Sequence, residues 1–142
     1  MGPFADLKIL ILAATETYRE RMDLDLSHPF LNTWPDRTRL SVWGVVMKAQ
    51  GHQIPHIHPS AWLSGVYYAE VPTVVGKDTI DQSGWLVLGQ VPHYFHNDSS
   101  GEIRSIQPKP GLLVLFPSYF YHHTNPFKTN ETRVSIAFDL IP

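Results

Sequence analysis

HIHPSAWLSGVYYAEV, residues 56–71, places a pair of histidines directly in front of an apolar and aromatic run. The run, residues 62–71, is short, rich in aromatic and β-branched residues and followed by a proline, which predicts a β-strand. Side chains two residues apart on an extended chain point to the same side. His56 and His58 can therefore present two imidazoles to one ligand at the start of this strand.

Similar runs continue through the chain after Ser27, separated by many of its twelve prolines and nine glycines. We predict eight short strands and no helix in this part, a pattern typical of a mainly β, antiparallel sandwich or barrel. The natural eight-stranded candidate is a double-stranded jelly roll. The predicted strands span residues 38–49, 52–57, 62–71, 84–90, 102–107, 111–117, 119–123 and 131–140.

The N-terminal part differs, because it predicts a helix at about residues 4–22 that packs an apolar stripe on the β domain. Its apolar run, residues 7–14, is too short to span a bilayer and is interrupted by Lys8. Asp6 precedes the run, whereas a signal peptide begins with basic residues. We therefore expect a helix that belongs to the folded domain.

The domain organisation follows from length and loop composition. A chain of 142 residues has room for one hydrophobic core, so we predict a single domain over residues 1–142 with its β core at about 38–140. The polar segments 72–83 and 91–101 are long for hairpins. We expect both to be loops over one mouth of the β core, where they would select the substrate.

Composition excludes several functional classes. The chain is 43% hydrophobic and 17% charged, which predicts a folded protein. A net charge of −2 without any Lys/Arg cluster predicts neither a nucleic-acid nor a membrane partner. The absence of cysteine excludes disulfides, thiolate zinc sites and thiol catalysis. We expect a cytoplasmic enzyme or binding domain.

The histidine pair at His56 and His58 indicates a metal site if a third ligand joins it, and His122 or His123 is the obvious donor. Three imidazoles with open positions beyond them suit Fe(II), Mn, Co, Ni or Zn. The pair alone is weak evidence, and surface or hydrogen-bonded histidines are the alternative. The remaining histidines stand in predicted loops or at strand starts, and we expect no ligand role for His28, His52, His93 and His96.

The last predicted strand carries a second signal. Arg133, Ser135 and Ala137 alternate with an apolar set formed by Val134, Ile136 and Phe138. An arginine that faces a sheet interior needs an anion, because an unpaired buried charge costs several kcal/mol. Its planar fork suits a carboxylate. The sequence thus favours either a carboxylate pocket or an exposed polar face on an edge strand. Tyr67 and Tyr68 face opposite sides of their strand, so one of them can join such a pocket.

Four stretches together resemble the 2-oxoglutarate/Fe(II)-dependent oxygenases, in particular a small group often found as a C-terminal domain after tetratricopeptide repeats. They are HIHPSAWLSGVYYAEVP, GWLVLG, IQPKPGLLVLFPSYFYHHTNPF and TRVSIAFDLIP, and the resemblance covers about residues 40–142. The order of these motifs is similar to that of the prolyl-hydroxylase branch. The resemblance implies a double-stranded β-helix, the family's jelly roll.

The resemblance implies roles for six residues. His56, His58 and His122 would bind Fe(II), with His122 preferred over His123 because Pro126 follows it by four positions. The superfamily usually has Asp or Glu where this chain has His58, so the site would lack one negative charge. Glu70 could supply a carboxylate but lies far along the strand. The cosubstrate 2-oxoglutarate would be held through its distal carboxylate by Tyr68, Arg133 and Ser135.

The implied activity is that of a dioxygenase that uses O2, decarboxylates 2-oxoglutarate to succinate and hydroxylates an unknown small molecule or protein side chain. Two alternatives stay open: a cupin-like three-histidine metalloenzyme that does not use 2-oxoglutarate, and a non-catalytic jelly-roll binding or partner-binding module. The oligomeric state is not predicted. Several aromatic residues either line the substrate mouth or belong to the core: Trp62, Trp85, Tyr94, Phe95, Tyr119 and Tyr121.

Overall fold

A computed structural model describes residues 2–22, 25, 27–48, 51–75, 80–96 and 101–142. The predicted helix and all eight predicted strands are present. The elements are α1 (Pro3–Arg21), β1 (Arg39–Met47), β2 (Gln53–His56), β3 (Leu63–Glu70), β4 (Leu86–Leu88), β5 (Arg104–Ile106), β6 (Leu113–Pro117), β7 (His122–Thr124) and β8 (Arg133–Ile141).

The seventh strand begins later than predicted. We predicted a strand over residues 119–123, but the chain turns after β6, and the Phe120 amide donates to the Pro117 carbonyl at 2.9 Å. β7 therefore starts only at His122. The turn makes this histidine the first residue of β7, where it is paired with β2 on one side and β4 on the other.

The strands form two antiparallel four-stranded sheets, with orders β1-β8-β3-β6 and β2-β7-β4-β5. This arrangement is the predicted double-stranded β-helix. The central pair of the first sheet, β8 and β3, is in register from Leu140 opposite Leu63 to Ser135 opposite Tyr68. Tyr68, Leu86, Leu88, Val114 and Phe116 form a core cluster between the sheets.

Alternation along β8 follows the predicted pattern. Arg133, Ser135 and Ala137 line the space between the sheets, and Arg133 and Ser135 are buried. Phe138 lies on the other face, where its ring packs against Gly65. A Cβ at Gly65 would stand 2.3 Å from the Phe138 Cζ atom, so this close approach requires glycine.

Helix α1 contacts β6, and its Tyr18, together with Met22 directly after the helix, packs against a cluster of Phe30, Leu63 and Leu140. The predicted apolar stripe is only partly covered. Ile11 is fully buried, whereas other apolar side chains of the helix are exposed: Phe4, Ile9, Leu10 and Leu12. Among the described residues, no helix is long and apolar enough to cross a membrane.

The two long loops do not lie over one mouth, as far as they are described. Leu88 pairs with His122, so residues 91–96 follow at the histidine end of the barrel. Val75, in the other loop, packs with Met47 and Phe127 at the end where β8 begins. The prediction of a shared mouth is wrong because β3 and β4 run in opposite directions along the cavity. The loop after β3 therefore starts at the end where β8 begins, and the loop after β4 starts at the histidine end. Residues 76–79 and 97–100 lie outside the described residues.

Candidate active site

Three of the predicted ligands converge at one end of the cavity. One ring nitrogen from each of His56, His58 and His122 lies within 4.8 Å of the others. Antiparallel pairing of β2 with β7 places His56 directly opposite His122. His58 follows two residues after His56 and returns to the same side, as the period of an extended chain requires. Nitrogen atoms this close together from three imidazoles can hold one metal ion.

Hydrogen bonds select the nitrogen that each ring offers. Nδ1 of His56 lies 2.7 Å from the Ile54 carbonyl oxygen, and Nδ1 of His122 lies 3.0 Å from the Phe120 carbonyl oxygen. A carbonyl oxygen only accepts, so in each ring Nδ1 carries the proton and donates it. The unprotonated Nε2 of both rings is thereby left for a metal, which is the usual arrangement in metal-binding histidines.

The third ring differs, because a carboxylate replaces the carbonyl. His58 Nδ1 donates to Asp139 Oδ1 at 2.7 Å, and the Ser64 hydroxyl donates to the same oxygen at 2.6 Å. Ser64 and Asp139 are cross-strand partners in the β3–β8 register. Nε2 of His58 is again the free nitrogen. All three imidazoles are therefore oriented by the protein before any metal binds.

Burial keeps His122 neutral. It is the largest of the effects that together lower the pKa of His122 to about 4; the neighbouring His56 and His58 rings act in the same direction, and the hydrogen bond to the Phe120 carbonyl opposes them. A neutral imidazole is the form that ligates a metal. His123, the other candidate, faces away from the cluster, and its Nε2 lies 3.2 Å from the Asn125 side-chain oxygen.

The remaining acid and base candidates lie outside this cluster. Glu70 is exposed at the end of β3, and it does not line the cavity. The four histidines expected to have no ligand role are exposed: His28, His52, His93 and His96. The carboxylate that does reach the site, Asp139, was missed. Its signal was present in the sequence, since Asp139 continues the alternation of Arg133, Ser135 and Ala137.

At the other end of the cavity, Arg133 is 2% exposed. Its Nη1 donates to the Gly84 carbonyl at 2.8 Å, and its guanidinium carbon lies 5.0 Å from the centre of the Tyr68 ring. Gly84 has φ +72°, a conformation that favours glycine. Arg133 Nε and the Tyr68 hydroxyl are buried and have no hydrogen-bond partner among the described residues.

These two polar groups affect one another electrostatically. Burial raises the pKa of Tyr68, and the positive charge of Arg133 opposes that rise. Burial also lowers the pKa of Arg133, and Tyr68 opposes that fall. Arg133 Nε and the Tyr68 hydroxyl are therefore two buried donors without an acceptor, which is the arrangement that an anion would satisfy.

The cavity that joins the two ends has a volume of about 120 Å³, so it admits only a small ligand. Its walls were only partly predicted. None of the six aromatic residues considered for the mouth lines it, and Trp43 on edge strand β1 does so instead. Trp43 is 37% exposed, and its ring centre lies 5.7 Å from that of His58. Further lining residues are Val45, Gln53, Val66, Leu86, Phe116 and Thr124.

A more open groove of about 540 Å³ lies on the outside of the barrel. Phe30 and Trp62 stack there with ring centres 4.1 Å apart. None of the six predicted site residues lines this groove. The chemistry-bearing side chains are therefore confined to the small internal cavity.

The sequence matches a family model described as "Putative 2OG-Fe(II) oxygenase" over residues 41–139, well over half of the chain. The chain belongs to this family. The resemblance noted in the sequence is thereby confirmed, and the matched range contains every residue of the candidate site. No curated protein matches the chain.

Solved structures of 2OG-Fe(II) oxygenases share the fold. A prolyl-4-hydroxylase from Pseudomonas putida superposes with a TM-score of 0.53 at 15% identity, covering 72% of this chain and 51% of that one. A 2OG-Fe(II) oxygenase family oxidoreductase from Burkholderia pseudomallei gives 0.51 at 12% identity, covering 70% and 41%. The matched part of the chain thus corresponds to about half of the first protein's length and less than half of the second's. At such identities the similarity establishes the fold alone.

The residues present fit the groups that a 2OG-Fe(II) oxygenase uses. Three imidazoles with free Nε2 atoms are a donor set for Fe(II). The unpaired Arg133 Nε and Tyr68 hydroxyl are donors for a carboxylate. Both sets line the same cavity.

Proposed function

We propose that the chain is a 2-oxoglutarate- and Fe(II)-dependent dioxygenase that hydroxylates a small molecule or a protein side chain. Family membership and fold support this proposal. The observation that carries it is the pair of buried, unpartnered donors, Arg133 Nε and the Tyr68 hydroxyl, at the far end of the cavity from the three histidines.

His56, His58 and His122 would hold the iron through Nε2. When bound, Fe(II) would supply the activation of O2, which is the oxidant, and 2-oxoglutarate would supply two of the four electrons: one oxygen atom of O2 would end in succinate, CO2 would leave, and the other oxygen atom would enter a C–H bond of the substrate. The three Nδ1–H donors fix the ring orientations. Because Nδ1 of each ring is already bonded, the rings need not reorganise when the metal arrives.

Arg133 and Tyr68 would bind the distal carboxylate of 2-oxoglutarate, with the buried Ser135 hydroxyl beside them. A ligand carboxylate would supply the acceptor that neither donor has in the free protein. Such charge-assisted hydrogen bonds are short and strong, and they would fix the distance between the carboxylate and the iron end.

The apolar part of the cavity wall would exclude water from the reacting atoms. Val45, Val66 and Ala137 come from three adjacent strands of the first sheet, and Leu86 and Phe116 are buried. Trp43, partly exposed beside His58, stands where a substrate would enter. The cytoplasmic location and the absence of nucleic-acid and membrane partners remain predictions from composition.

The two alternatives explain less of the cavity. A three-histidine enzyme without 2-oxoglutarate would use the imidazoles but would leave the buried Arg133 and Tyr68 donors without an acceptor. A non-catalytic binding module would not require three imidazoles oriented toward one point. Both alternatives predict measurable differences in ligand binding.

The test is an anaerobic titration with Fe(II), followed by 2-oxoglutarate and, separately, by pyruvate. Both acids carry the 2-oxo acid group that chelates iron, but pyruvate lacks the distal carboxylate. We expect a visible absorption band from the chelated iron with 2-oxoglutarate at concentrations far below those needed for pyruvate. Equal affinity for both acids, or iron binding without either band, would favour the three-histidine enzyme. No metal binding would favour the binding module.

A further inference from the structure

Among the three imidazoles, only His58 is held by a charged group. The Nδ1 atoms of His56 and His122 donate to backbone carbonyls two residues earlier in the chain. His58 Nδ1 donates to the side chain of Asp139, which lies 81 positions away in sequence. The first two contacts are local, whereas the third requires β8 to pair with β3 in the observed register.

Asp139 lies where a charged carboxylate would destabilise the fold unless hydrogen bonds or a nearby cation stabilise it. It is 8% exposed, and Ser64, which donates to it, is 1% exposed. Among the described residues, no lysine or arginine pairs with Asp139. A buried carboxylate without a cation is destabilising. A cation held at Nε2, on the far side of the His58 ring, would compensate this charge.

We propose that Asp139 is a positioning residue that supplies the iron site with its negative charge through His58. This inference rests on the proposed function, since it assumes that the three histidines hold iron. Asp139 fixes Nδ1 as the protonated nitrogen and aims Nε2 into the cluster. Its charge makes His58 a more basic ligand than an imidazole bonded to a neutral carbonyl. Ser64 holds the carboxylate oxygen in place for this contact.

The test separates charge from orientation with two substitutions. Asp139→Asn keeps an oxygen acceptor for His58 and removes the charge, whereas Asp139→Ala removes both. Glu102→Gln is the control, because it removes the same charge from an exposed carboxylate that pairs with Arg104. Ser64→Ala keeps the charge but removes the support of the carboxylate, and it remains informative if an Asp139 variant does not fold.

The first readout is the anaerobic dissociation constant for Fe(II), measured by competition with a coloured chelator. We expect Asp139→Asn to raise it about 10- to 100-fold, the range typical of lost partners of metal-ligating histidines. Asp139→Ala should raise it at least as much, Ser64→Ala less, and Glu102→Gln not at all. The reduction potential of the bound iron should rise in Asp139→Asn. The carboxylate charge that this substitution removes stabilises Fe(III) more than Fe(II), so its removal favours Fe(II).

The second readout is proton NMR of the Co(II)-loaded protein, which detects the exchangeable ring N–H of each ligand. We expect the His58 signal to move in Asp139→Asn while the other two remain. Wild-type Fe(II) affinity together with an unmoved His58 signal in Asp139→Asn would overturn the proposal. A loss of Fe(II) affinity in Asp139→Ala but not in Asp139→Asn would also overturn it, because it would show that Asp139 only orients His58 and that its charge has no effect. Wild-type affinity in Ser64→Ala would likewise count against it. Wild-type protein that binds neither metal would instead overturn the proposed function.

Discussion

The two ends of the cavity differ in how far the protein satisfies its own polar atoms. At the histidine end, every Nδ1 has an oxygen acceptor, from Ile54, Asp139 or Phe120. At the arginine end, Arg133 Nε and the Tyr68 hydroxyl are buried without one. In the proposed site, the metal ligands would therefore be oriented in advance, whereas the donors at the arginine end would gain their acceptor only when the ligand binds.

Removal of a ligand at the histidine end should have the largest effect. We expect His122→Ala to weaken Fe(II) binding by more than about 100-fold, since loss of a direct ligand exceeds the loss of a hydrogen-bond partner to one. Chelation of 2-oxoglutarate should be lost with the iron. His123→Ala is the matched control, because the neighbouring ring faces away from the cluster. Equal iron affinity in both variants would contradict the assignment of His122.

At the arginine end, Arg133→Ala should leave iron binding intact and weaken 2-oxoglutarate binding by about 2–5 kcal/mol, the usual effect of removing one partner of a buried charge pair. Isothermal titration of the oxygen-free protein, first with Fe(II) and then with 2-oxoglutarate, measures both affinities. Arg104→Ala, which removes an exposed arginine of β5, should change neither. Unchanged 2-oxoglutarate affinity in Arg133→Ala would show that the distal carboxylate of 2-oxoglutarate binds elsewhere. The unpaired donors at the arginine end would then not be a binding site for this ligand.

The histidine end should also make the metal-free protein sensitive to acid. The pKa of His122 is about 4 in the folded protein, below its ordinary value of 6.5, so the unfolded chain binds the proton more readily. The stability associated with neutral His122 is complete above pH 6.5 and is lost as the pH falls toward 4. The loss is up to about 3 kcal/mol.

Urea unfolding of chelator-treated protein at pH 7.5 and 4.5 measures this loss. Because carboxylates also titrate in that range, the useful quantity is the difference between wild type and His122→Gln. We expect the wild type to lose more free energy of unfolding on acidification than the variant. The same loss in both would mean that His122 is not the group that carries the effect.

Tyr68→Phe should have the smallest effect, and its sign should depend on the ligand. Removing one hydrogen bond to a charged group should weaken 2-oxoglutarate binding by about 1.5 kcal/mol. Without ligand, the same change removes a buried hydroxyl that has no partner, so the free energy of unfolding should stay constant or rise by about 1 kcal/mol. A lower free energy of unfolding in ligand-free Tyr68→Phe would show that the Tyr68 hydroxyl already has a hydrogen-bond partner. The two ends of the cavity would then not differ in how far their polar atoms are paired.

Much of the fold could be predicted, because local rules control it. Alternating apolar runs and proline or glycine breaks located all eight strands, and the period of two placed Arg133 and Ser135 on one strand face, which the structure shows to be interior. The start of β7 was predicted too early, because the turn after Pro117 contains aromatic residues, which are typical of strands. The relation of the two long loops was also missed, because it depends on which sheet each flanking strand joins.

The candidate site was predictable where its members are neighbours in sequence or continue one strand. His56 and His58 lie two residues apart, and Arg133 and Ser135 share one strand face. The choice between His122 and His123 could not be made from alternation alone, because either ring faces the cavity in one of two registers of β7. The resemblance to the oxygenase family selected His122, and the structure brings that ring to the other two.

The sequence by itself determined the strands, which side chains share a strand face, and the residue types that can bind a metal and a carboxylate, since these follow from the residues and from the local period of the chain. Only the tertiary structure decided which face of β8 is interior, that Asp139 meets His58 across 81 positions, that Trp43 lines the cavity beside His58, and that Arg133 Nε and the Tyr68 hydroxyl are left unpaired. These contacts depend on cross-strand register and on sheet-to-sheet packing, which bring together residues that no local pattern relates.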